Sequence, residues 1–159
     1  GTNLGNKTVN LDRATSQIQR YVGKISKLSR IYETAAWGKT NQPSFYNQVI
    51  GLETALKPVE LLEALHQIEL EMGRIRYEKW AERIIDIDIL FYNNQIVSTT
   101  QLTIPHPEIQ NRRFTLAPLA EIAPDFIHPV LKKPVQNLLK DCRDPLTVMP
   151  LNSQTLDEK

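Results

Sequence analysis

The chain has 159 residues, of which 41% are hydrophobic and 23% charged, a length and composition typical of one compact globular domain. Lysine and arginine total 19 against 18 aspartates and glutamates, and the net charge of +1 excludes the large basic excess of general nucleic-acid or anionic-membrane binders. The single cysteine, Cys142, excludes an internal disulfide framework and a multi-cysteine zinc site, and no apolar run approaches the roughly 18–20 residues of a membrane span.

The first third of the chain predicts one helix and two strands. Apolar residues recur at spacings of three and four over residues 11–21, which is typical of an amphipathic helix. Residues 24–32 alternate loosely and predict a strand, and residues 49–54 predict a second one. The intervening residues 33–47 are rich in small and turn-forming side chains and predict a loop. Its tryptophan and phenylalanine either pack back on the core or serve another purpose.

The clearest helix is predicted over residues 58–72, because Pro58 suits a first helical turn and Gly73 stands just past the end. Residues 74–83 have no clean period and predict a charged loop, and residues 84–92 predict a further strand. Strands and helices are interleaved without strict alternation, which favours an α+β or mixed α/β sandwich over a regular doubly wound sheet. The remaining elements are short: strands at 96–97 and 102–104, helices at 114–122 and 135–139, and a frayed polar tail from residue 152.

The sharpest local pattern is Ile85-Asp86-Ile87-Asp88-Ile89. Alternate side chains of a strand point to opposite faces, so Asp86 and Asp88 share one face with their Cα atoms roughly 6.5–7 Å apart. Two carboxylates at that separation can share one or two Mg²⁺ ions, whereas the simpler interpretation is a solvated acidic face. Aspartate is a poor strand former, and a local rule broken in this way often marks a functional site.

Four cations, Arg74, Arg76, Lys79 and Arg83, lie just before the acidic pattern. Arginine forks bind phosphate oxygens bidentately, although such a run is usually a solvated loop. Phosphate-binding groups beside metal-binding groups suit a nucleoside triphosphate with Mg²⁺, because the metal neutralises part of the charge and the arginines the rest. The sequence has no Gly-rich phosphate loop of the Walker type, which excludes a P-loop enzyme.

The three histidines are weaker signals. His66 and Glu69 share a face of the predicted helix, but a lone helical histidine is more often a surface or cap residue. His106 lies between two prolines, where it either touches a ligand or fills a turn, and His128 lies in a predicted loop. The sequence suggests no Ser/His/Asp or Cys/His nucleophile.

Short motifs along residues 1–139 are highly specific in combination and order. They are Gly-Thr-Asn-Leu-Gly at 1–5, Tyr-Glu-Thr at 32–34, Gly38 with Gln42-Pro43 and Asn47, Glu69 with Gly73-Arg74-Ile75-Arg76, Trp80 with Arg83, Asp86-Ile87-Asp88, Pro105-His106-Pro107 and Arg112-Arg113-Phe114. With these motifs the chain resembles the 6-hydroxymethyl-7,8-dihydropterin pyrophosphokinase family of folate biosynthesis. The resemblance implies an α+β fold, a ferredoxin-like αβα sandwich with a mostly antiparallel central sheet. It also implies a single domain at 1–151 and a polar tail at 152–159.

The activity that the resemblance implies is diphosphate transfer. The hydroxymethyl oxygen of the pterin would attack the β-phosphorus of ATP, and AMP would leave. Two Mg²⁺ ions are the implied cofactors, with ATP as co-substrate. The implied protein is a cytoplasmic monomer that binds the small-molecule pterin and ATP, and neither nucleic acid nor membrane. Loops 34–47 and 74–83 would close over the substrates and exclude water.

The resemblance also assigns roles to individual residues. Asp86 and Asp88 would hold the Mg²⁺ ions, Asp88 is a possible general base, and Arg74 and Arg83 would stabilise the transferred diphosphate. ATP would contact His66, Glu69, Arg76, Trp80, Ile89, Thr103, His106 and Arg112, the last two at its polyphosphate. The pterin pocket would be formed by Thr34, Ala36, Trp37, Phe45, Asn47 and Phe114, with Phe45 and Phe114 sandwiching the flat ring and Asn47 reading its amide-like edge.

The chain departs from the family pattern in two places that matter. The family has a core strand before the motif at 1–5, so a sheet without that strand is expected to have a gap, and we expect the sequence to be a fragment that lacks it. Ala81 and Glu82 stand where Gly-Pro usually precedes the loop arginine, which places an acid next to Arg83.

Two alternative functions are open on the sequence. A non-catalytic RNA-binding module on a ferredoxin-like sheet would need exposed strand aromatics and a basic stripe, whereas the predicted strands carry isoleucine and aspartate. A different Mg²⁺-dependent nucleotidyl or phosphoryl transferase would share the metal site but not the pterin pocket.

Overall fold

The computed structural model describes residues 1–35, 42–74 and 83–151. No helix in these ranges is long and apolar enough to span a membrane. The elements in chain order are α1 (Lys7–Tyr21), β1 (Lys24–Leu28), β2 (Tyr32–Thr34), β3 (Phe45–Asn47), β4 (Ile50–Glu53), α2 (Pro58–Glu71), β5 (Val97–Ser98), β6 (Thr103–Ile104), a 3₁₀ turn (Ile109–Asn111), α3 (Arg113–Ile122), α4 (Val135–Asp141) and β7 (Val148–Pro150).

The described strands pair antiparallel, so the α+β class predicted from the sequence is confirmed. β1 pairs with β4, with Lys24 opposite Glu53 and Leu28 opposite Ile50. β2 lies between β3 and β7, and β5 pairs with β6. Since β7 pairs with β2, the last described residues join a sheet that begins in the first third of the chain.

Helix α2 begins where local signals predict, whereas α1 begins at Lys7, before the start predicted at residue 11. At the start of α1, the Asn6 side chain accepts the Val9 N–H at 3.2 Å, which satisfies a donor that has no partner within the helix. Helix α2 has Pro58 in its first turn, and its last turn is followed by Gly73 at a φ of +89°. Leu11, Ala14 and Ile18 are buried in α1 and Leu61, Leu65 and Ile68 in α2, whereas Tyr21, the last residue of the predicted apolar stripe, is 60% exposed.

The predicted strand at 24–32 is two strands in the structure. Ser29 donates its N–H to the Val49 carbonyl and accepts the Val49 N–H on its hydroxyl, both at 2.9 Å. A side chain therefore replaces the backbone partner at this point, and β1 ends before it. The predicted loop at 33–47 is also wrong at its ends, which belong to β2 and β3 and pair with each other, so Phe45 lies on a strand.

The prediction of a strand at 84–92 is wrong, because this segment forms no ladder with any other strand among the residues that the structure describes. Its backbone instead makes isolated hydrogen bonds. Asp86 exchanges two with Gly1, at 2.7 and 2.8 Å, and the Leu90 carbonyl accepts the His106 N–H at 2.9 Å.

The alternation of side chains around the aspartates is confirmed even though the ladder is not. Ile85, Ile87 and Ile89 all join a hydrophobic cluster with the inner faces of α1 and α2. Asp86 and Asp88 are 24% and 48% exposed. A second, smaller cluster is centred on α3 and α4.

A cavity of about 660 Å³ lies between β4 and residues 85–92. One edge of β4 pairs with β1, and β4 also lines the cavity. The cavity continues to β3 and the start of α3, where the candidate site lies.

Candidate active site

Thr2 and Asn3 join two parts of the chain that the site needs side by side. Thr2 exchanges backbone hydrogen bonds with Tyr46 on β3, at 2.9 and 3.0 Å. Asn3 donates its N–H to the Arg83 carbonyl at 3.1 Å, and its side-chain oxygen accepts the Arg83 N–H at 2.8 Å. Both residues are at most 1% exposed. Their joining role was not predicted from the sequence, where the available signal was two polar side chains inside a Gly-containing motif.

Asp86 lies between two arginine side chains. Arg74 Nη1 donates to Asp86 Oδ1 at 2.7 Å, and Arg83 Nη1 donates to Oδ2 at 2.9 Å. Burial alone would raise the pKa of the Asp86 carboxyl, but the two guanidinium groups lower it below its ordinary value. Asp86 is therefore an ionised carboxylate with both oxygens engaged by cations.

Asp88 lies in a different environment from Asp86. Partial burial and the negative charge of Asp86 raise the pKa of the Asp88 carboxyl, and Oδ2 of Asp88 lies 3.9 Å from His106 Nε2. His106 Nδ1 accepts the Glu108 N–H at 3.1 Å. In the neutral imidazole the proton is therefore on Nε2, the nitrogen that faces Asp88.

Asp86 and Asp88 present the hard oxygen ligands that Mg²⁺ prefers. The repulsion between the two carboxylates, which contributes to the raised pKa of Asp88, would be relieved by a cation. Across 1–35, 42–74 and 83–151, no group of three or more His, Cys, Asp or Glu side chains forms a metal cage. The pair thus fits a magnesium that completes its coordination with phosphate and water oxygens, as this ion usually does.

Another part of the cavity carries two aromatic rings. Phe45 on β3 and Phe114 in the first turn of α3 both line it, together with Asn47. The Arg83 guanidinium carbon lies 5.5 Å from the centre of the Phe45 ring, and that of Arg112 lies 5.7 Å from the Phe114 ring. Aromatic faces with a few polar groups at their rim are suited to a flat heterocycle.

Arg83 connects the acidic and the aromatic parts of the cavity. The same side chain donates to Asp86 and lies over the Phe45 ring, and it is 16% exposed. A ligand with an aromatic ring at one end and an anionic group at the other would therefore meet one arginine between them.

The cavity brings together most of the residues that the sequence predicts for the site. Thr34 is buried there, and its hydroxyl donates to the Thr147 carbonyl at 3.1 Å. Arg74 and His106 adjoin the lining through Asp86 and Asp88, as described above, and Glu69 through Ile87. The predicted residues that line the cavity are Thr34, Phe45, Asn47, Arg83, Asp86, Asp88, Ile89, Arg112 and Phe114.

Two predicted residues do not join this group. His66 and Thr103 are exposed and do not line the cavity. Four others, Ala36, Trp37, Arg76 and Trp80, lie outside the described residues.

Comparison with known proteins points to one family. Residues 1–124 match the family model of 7,8-dihydro-6-hydroxymethylpterin-pyrophosphokinase (HPPK). The 2-amino-4-hydroxy-6-hydroxymethyldihydropteridine pyrophosphokinase of Aquifex aeolicus is 40% identical over 136 residues, which are 86% of this chain and 84% of the relative. The protein of the same name from Synechocystis is 39% identical over 153 residues, 94% of this chain and 78% of the relative. The folic acid synthesis protein fol1 of Schizosaccharomyces pombe is 39% identical over 140 residues, 87% of this chain but 19% of that protein.

A solved structure supports the fold. The crystal structure of Plasmodium falciparum HPPK-DHPS matches with a TM-score of 0.67 and 20% identity, over 88% of this chain and 40% of that one. This likeness confirms the ferredoxin-like α+β fold that the sequence predicts.

Proposed function

The chain belongs to the 7,8-dihydro-6-hydroxymethylpterin-pyrophosphokinase family, and from that premise we propose how its residues carry out the reaction. The chain transfers the pyrophosphoryl group of ATP to hydroxymethyldihydropterin in folate biosynthesis. A bond forms between the hydroxymethyl oxygen and the β-phosphorus, and the bond from that phosphorus to the oxygen bridging it to the α-phosphorus breaks. The hydroxyl proton is released, and the products are AMP and the pterin diphosphate.

We place the pterin ring of the substrate between Phe45 and Phe114. The two rings line one cavity together with Asn47, and a flat bicyclic ring between them would bury both of its faces. The Asn47 amide, which offers both a donor and an acceptor, would read the amide-like edge of the pterin. Thr34 would shape the floor of this pocket, because its hydroxyl already donates to the Thr147 carbonyl.

We place the transferred diphosphate of ATP beside the arginine side chains. Arg74 and Arg83 flank Asp86, Arg112 lies over the Phe114 ring, and His106 presents an N–H donor from Nε2. Charge that develops on the phosphoryl oxygens during transfer would be stabilised by these donors, which are already held in place. Catalysis would then depend on alignment and charge neutralisation rather than on a covalent intermediate.

Asp86 and Asp88 are the proposed Mg²⁺ ligands. Two bound ions would neutralise triphosphate charge and align its oxygens for in-line attack. Asp88, the more exposed of the pair, is also the candidate to accept the hydroxymethyl proton. Ile89 would contact ATP from the cavity wall, with His66 and Thr103 as its more exposed contacts.

The position of the Arg83 side chain is the observation that best supports this proposal. Its Nη1 lies 2.9 Å from Asp86 Oδ2 while its guanidinium lies over the Phe45 ring. A pterin stacked on Phe45 would therefore have its substituent directed to the same cation that meets the phosphates. A transferase without a pterin pocket would not need an aromatic ring at this point.

We also propose that residues 1–151 act as one domain, with 152–159 as a tail. The pairing of β7 with β2 supports this extent. The net charge of +1 is consistent with a monomer that acts on small molecules in the cytoplasm, without nucleic acid or membrane partners.

The proposal is tested by incubating the protein with ATP, Mg²⁺ and 6-hydroxymethyl-7,8-dihydropterin and separating the nucleotides. AMP and the pterin diphosphate should form in equal amounts, and formation of ADP would contradict diphosphate transfer. Arg83→Ala should lower kcat by about 100-fold or more with a smaller change in substrate affinity. The matched control is Arg20→Ala on the exposed face of α1, which should leave both constants unchanged.

A further inference from the structure

Glu69 is a buried carboxylate in the last turn of α2. It is 2% exposed, and a charged group at this depth is stable only when it is paired and hydrogen-bonded. Such burial leaves little of its surface for direct contact with a substrate. The groups that Glu69 binds therefore indicate its function.

The Glu69 carboxylate holds two groups of the candidate site through one oxygen. Oε2 accepts the Ile87 N–H at 2.9 Å, and it also accepts a short hydrogen bond from Arg74 Nη1. Ile87 lies between the two aspartates in sequence, so the first bond fixes the backbone that carries them. The second fixes a cation that the transfer reaction uses.

The end of α2 delivers Arg74 to Glu69. Gly73, at a φ of +89°, turns the chain back, and the Arg74 N–H donates to the Glu69 carbonyl at 3.0 Å. The Gly73 N–H donates to the Leu70 carbonyl, also at 3.0 Å. These two bonds form a Schellman cap. Glu69 and Arg74 are thus joined through both backbone and side chains, and little freedom remains to be lost when the guanidinium binds an anion.

Arg74 transmits this placement to Asp86. The same Nη1 that donates to Glu69 also donates to Asp86 Oδ1 at 2.7 Å. One guanidinium nitrogen therefore lies between two carboxylates, one deeply buried and one facing the cavity. If Asp86 bound a metal ion in place of Arg74, the hydrogen bond to Glu69 would still hold the Arg74 charge at the site.

We propose that Glu69 is a positioning residue for diphosphate transfer, which holds the Arg74 guanidinium and the backbone between Asp86 and Asp88 in place without touching either substrate. This inference rests on the proposed function, and it differs from the direct ATP contact that the sequence resemblance implies for Glu69. The substitution Glu69→Gln separates the two contacts. It removes the negative charge that pairs with Arg74, but its amide oxygen can still accept the Ile87 N–H.

The test compares Glu69→Gln with Glu63→Gln, the same substitution at an exposed position of α2. Glu69→Gln should lower kcat by about 10- to 100-fold with less than about a threefold change in KM for ATP, and Glu63→Gln should change neither. In the Arg74→Ala background, Glu69→Gln should lower kcat by less than about a further threefold, because its effect passes through Arg74. The proposal would be overturned if Glu69→Gln lowered kcat equally in the wild-type and Arg74→Ala backgrounds, or if it left the kcat of the wild type unchanged.

A second readout needs no turnover. In the ligand-free protein, the side-chain Nε–H resonance of Arg74, assigned by its loss in Arg74→Lys, should shift in Glu69→Gln and stay in place in Glu63→Gln. An unshifted resonance would show that Glu69 does not hold Arg74. If Glu69→Gln fails to fold by thermal melting, Glu69→Asp, which keeps the charge and shortens the reach, enters the same comparisons with the same expected directions. A wild-type protein that forms no AMP would refute the proposed function, whereas the resonance would still report on the pairing.

Discussion

Replacing Asp86 and Asp88 one at a time by asparagine should change the stability of the ligand-free protein in opposite directions. Asp86 accepts hydrogen bonds from Arg74 at 2.7 Å and Arg83 at 2.9 Å, and the three side chains are 24%, 11% and 16% exposed. Breaking a fully buried ion pair costs about 3–5 kcal/mol. Because this cluster is partly solvated, Asp86→Asn should lower the free energy of unfolding by about 2–3 kcal/mol. In a domain of this size that corresponds to a fall in Tm of about 4–12 °C.

Asp88→Asn should have a small stabilising effect. The pKa of Asp88 is raised in the folded protein by burial and by Asp86, so the folded state binds its proton more tightly than the unfolded state. Stability therefore decreases as the pH rises from the unfolded pKa through the raised folded pKa. The asparagine variant removes this decrease. Since the side chain is 48% exposed, the gain at pH 7 should remain below about 1 kcal/mol.

The pH dependence of Asp86 has the opposite sign. The two arginines lower its pKa against the cost of burial, so its stabilisation is present above the unfolded pKa. That stabilisation is lost as the pH falls through the lowered folded pKa. Urea unfolding of the wild type and both variants at pH 7 and near pH 3 measures these differences. If the two variants lose stability equally, the assignment of the arginines to Asp86 is refuted. Both variants should lose diphosphate transfer, because both aspartates are proposed Mg²⁺ ligands.

Three further predictions concern the helix cap, the aromatic pocket and a surface network. Gly73→Ala should lower the free energy of unfolding by about 1–2 kcal/mol, because alanine is strained at the φ of +89°; unchanged urea unfolding would contradict this. Phe45→Ala and Phe114→Ala should each raise KM for the pterin about tenfold while KM for ATP changes less than about twofold, and equal effects on both substrates in steady-state assays would contradict the stacking. Glu121 accepts a 2.6 Å hydrogen bond from the Tyr32 hydroxyl, and although burial opposes it, this bond helps lower the pKa of Glu121. Glu121→Gln should therefore destabilise the protein more at pH 7 than near pH 3, and an equal loss at both would contradict this assignment.

Local signals were sufficient for helix α2 and for burial around the aspartates. Pro58 and Gly73 mark the ends of α2, because proline suits the first turn and glycine the left-handed cap. The alternation from Ile85 to Ile89 correctly predicts which side chains are buried. Whether that segment pairs in a ladder depends on what lies beside it, and in the structure its backbone meets Gly1 instead.

The sequence predicted many of the residues that line the cavity, but it did not predict their arrangement. Charged residues before a pair of aspartates suggested phosphate and metal chemistry, yet a count of cations does not say which arginine meets which carboxylate. The bond from Ile87 to Glu69 spans 18 residues, and that from Arg83 to Asn3 spans 80. Such contacts depend on how α2 and the first residues pack against the segment, which no local period encodes.

The fate of the β-phosphorus of ATP tests the central claim most directly. ATP labelled at that phosphorus is incubated with the protein, Mg²⁺ and the hydroxymethyl-dihydropterin, and the label is followed by chromatography. Transfer of an intact diphosphate predicts that all of the transferred label appears on the pterin and that AMP is unlabelled. Label retained in ADP, or released as inorganic diphosphate at the same rate without pterin, would contradict it.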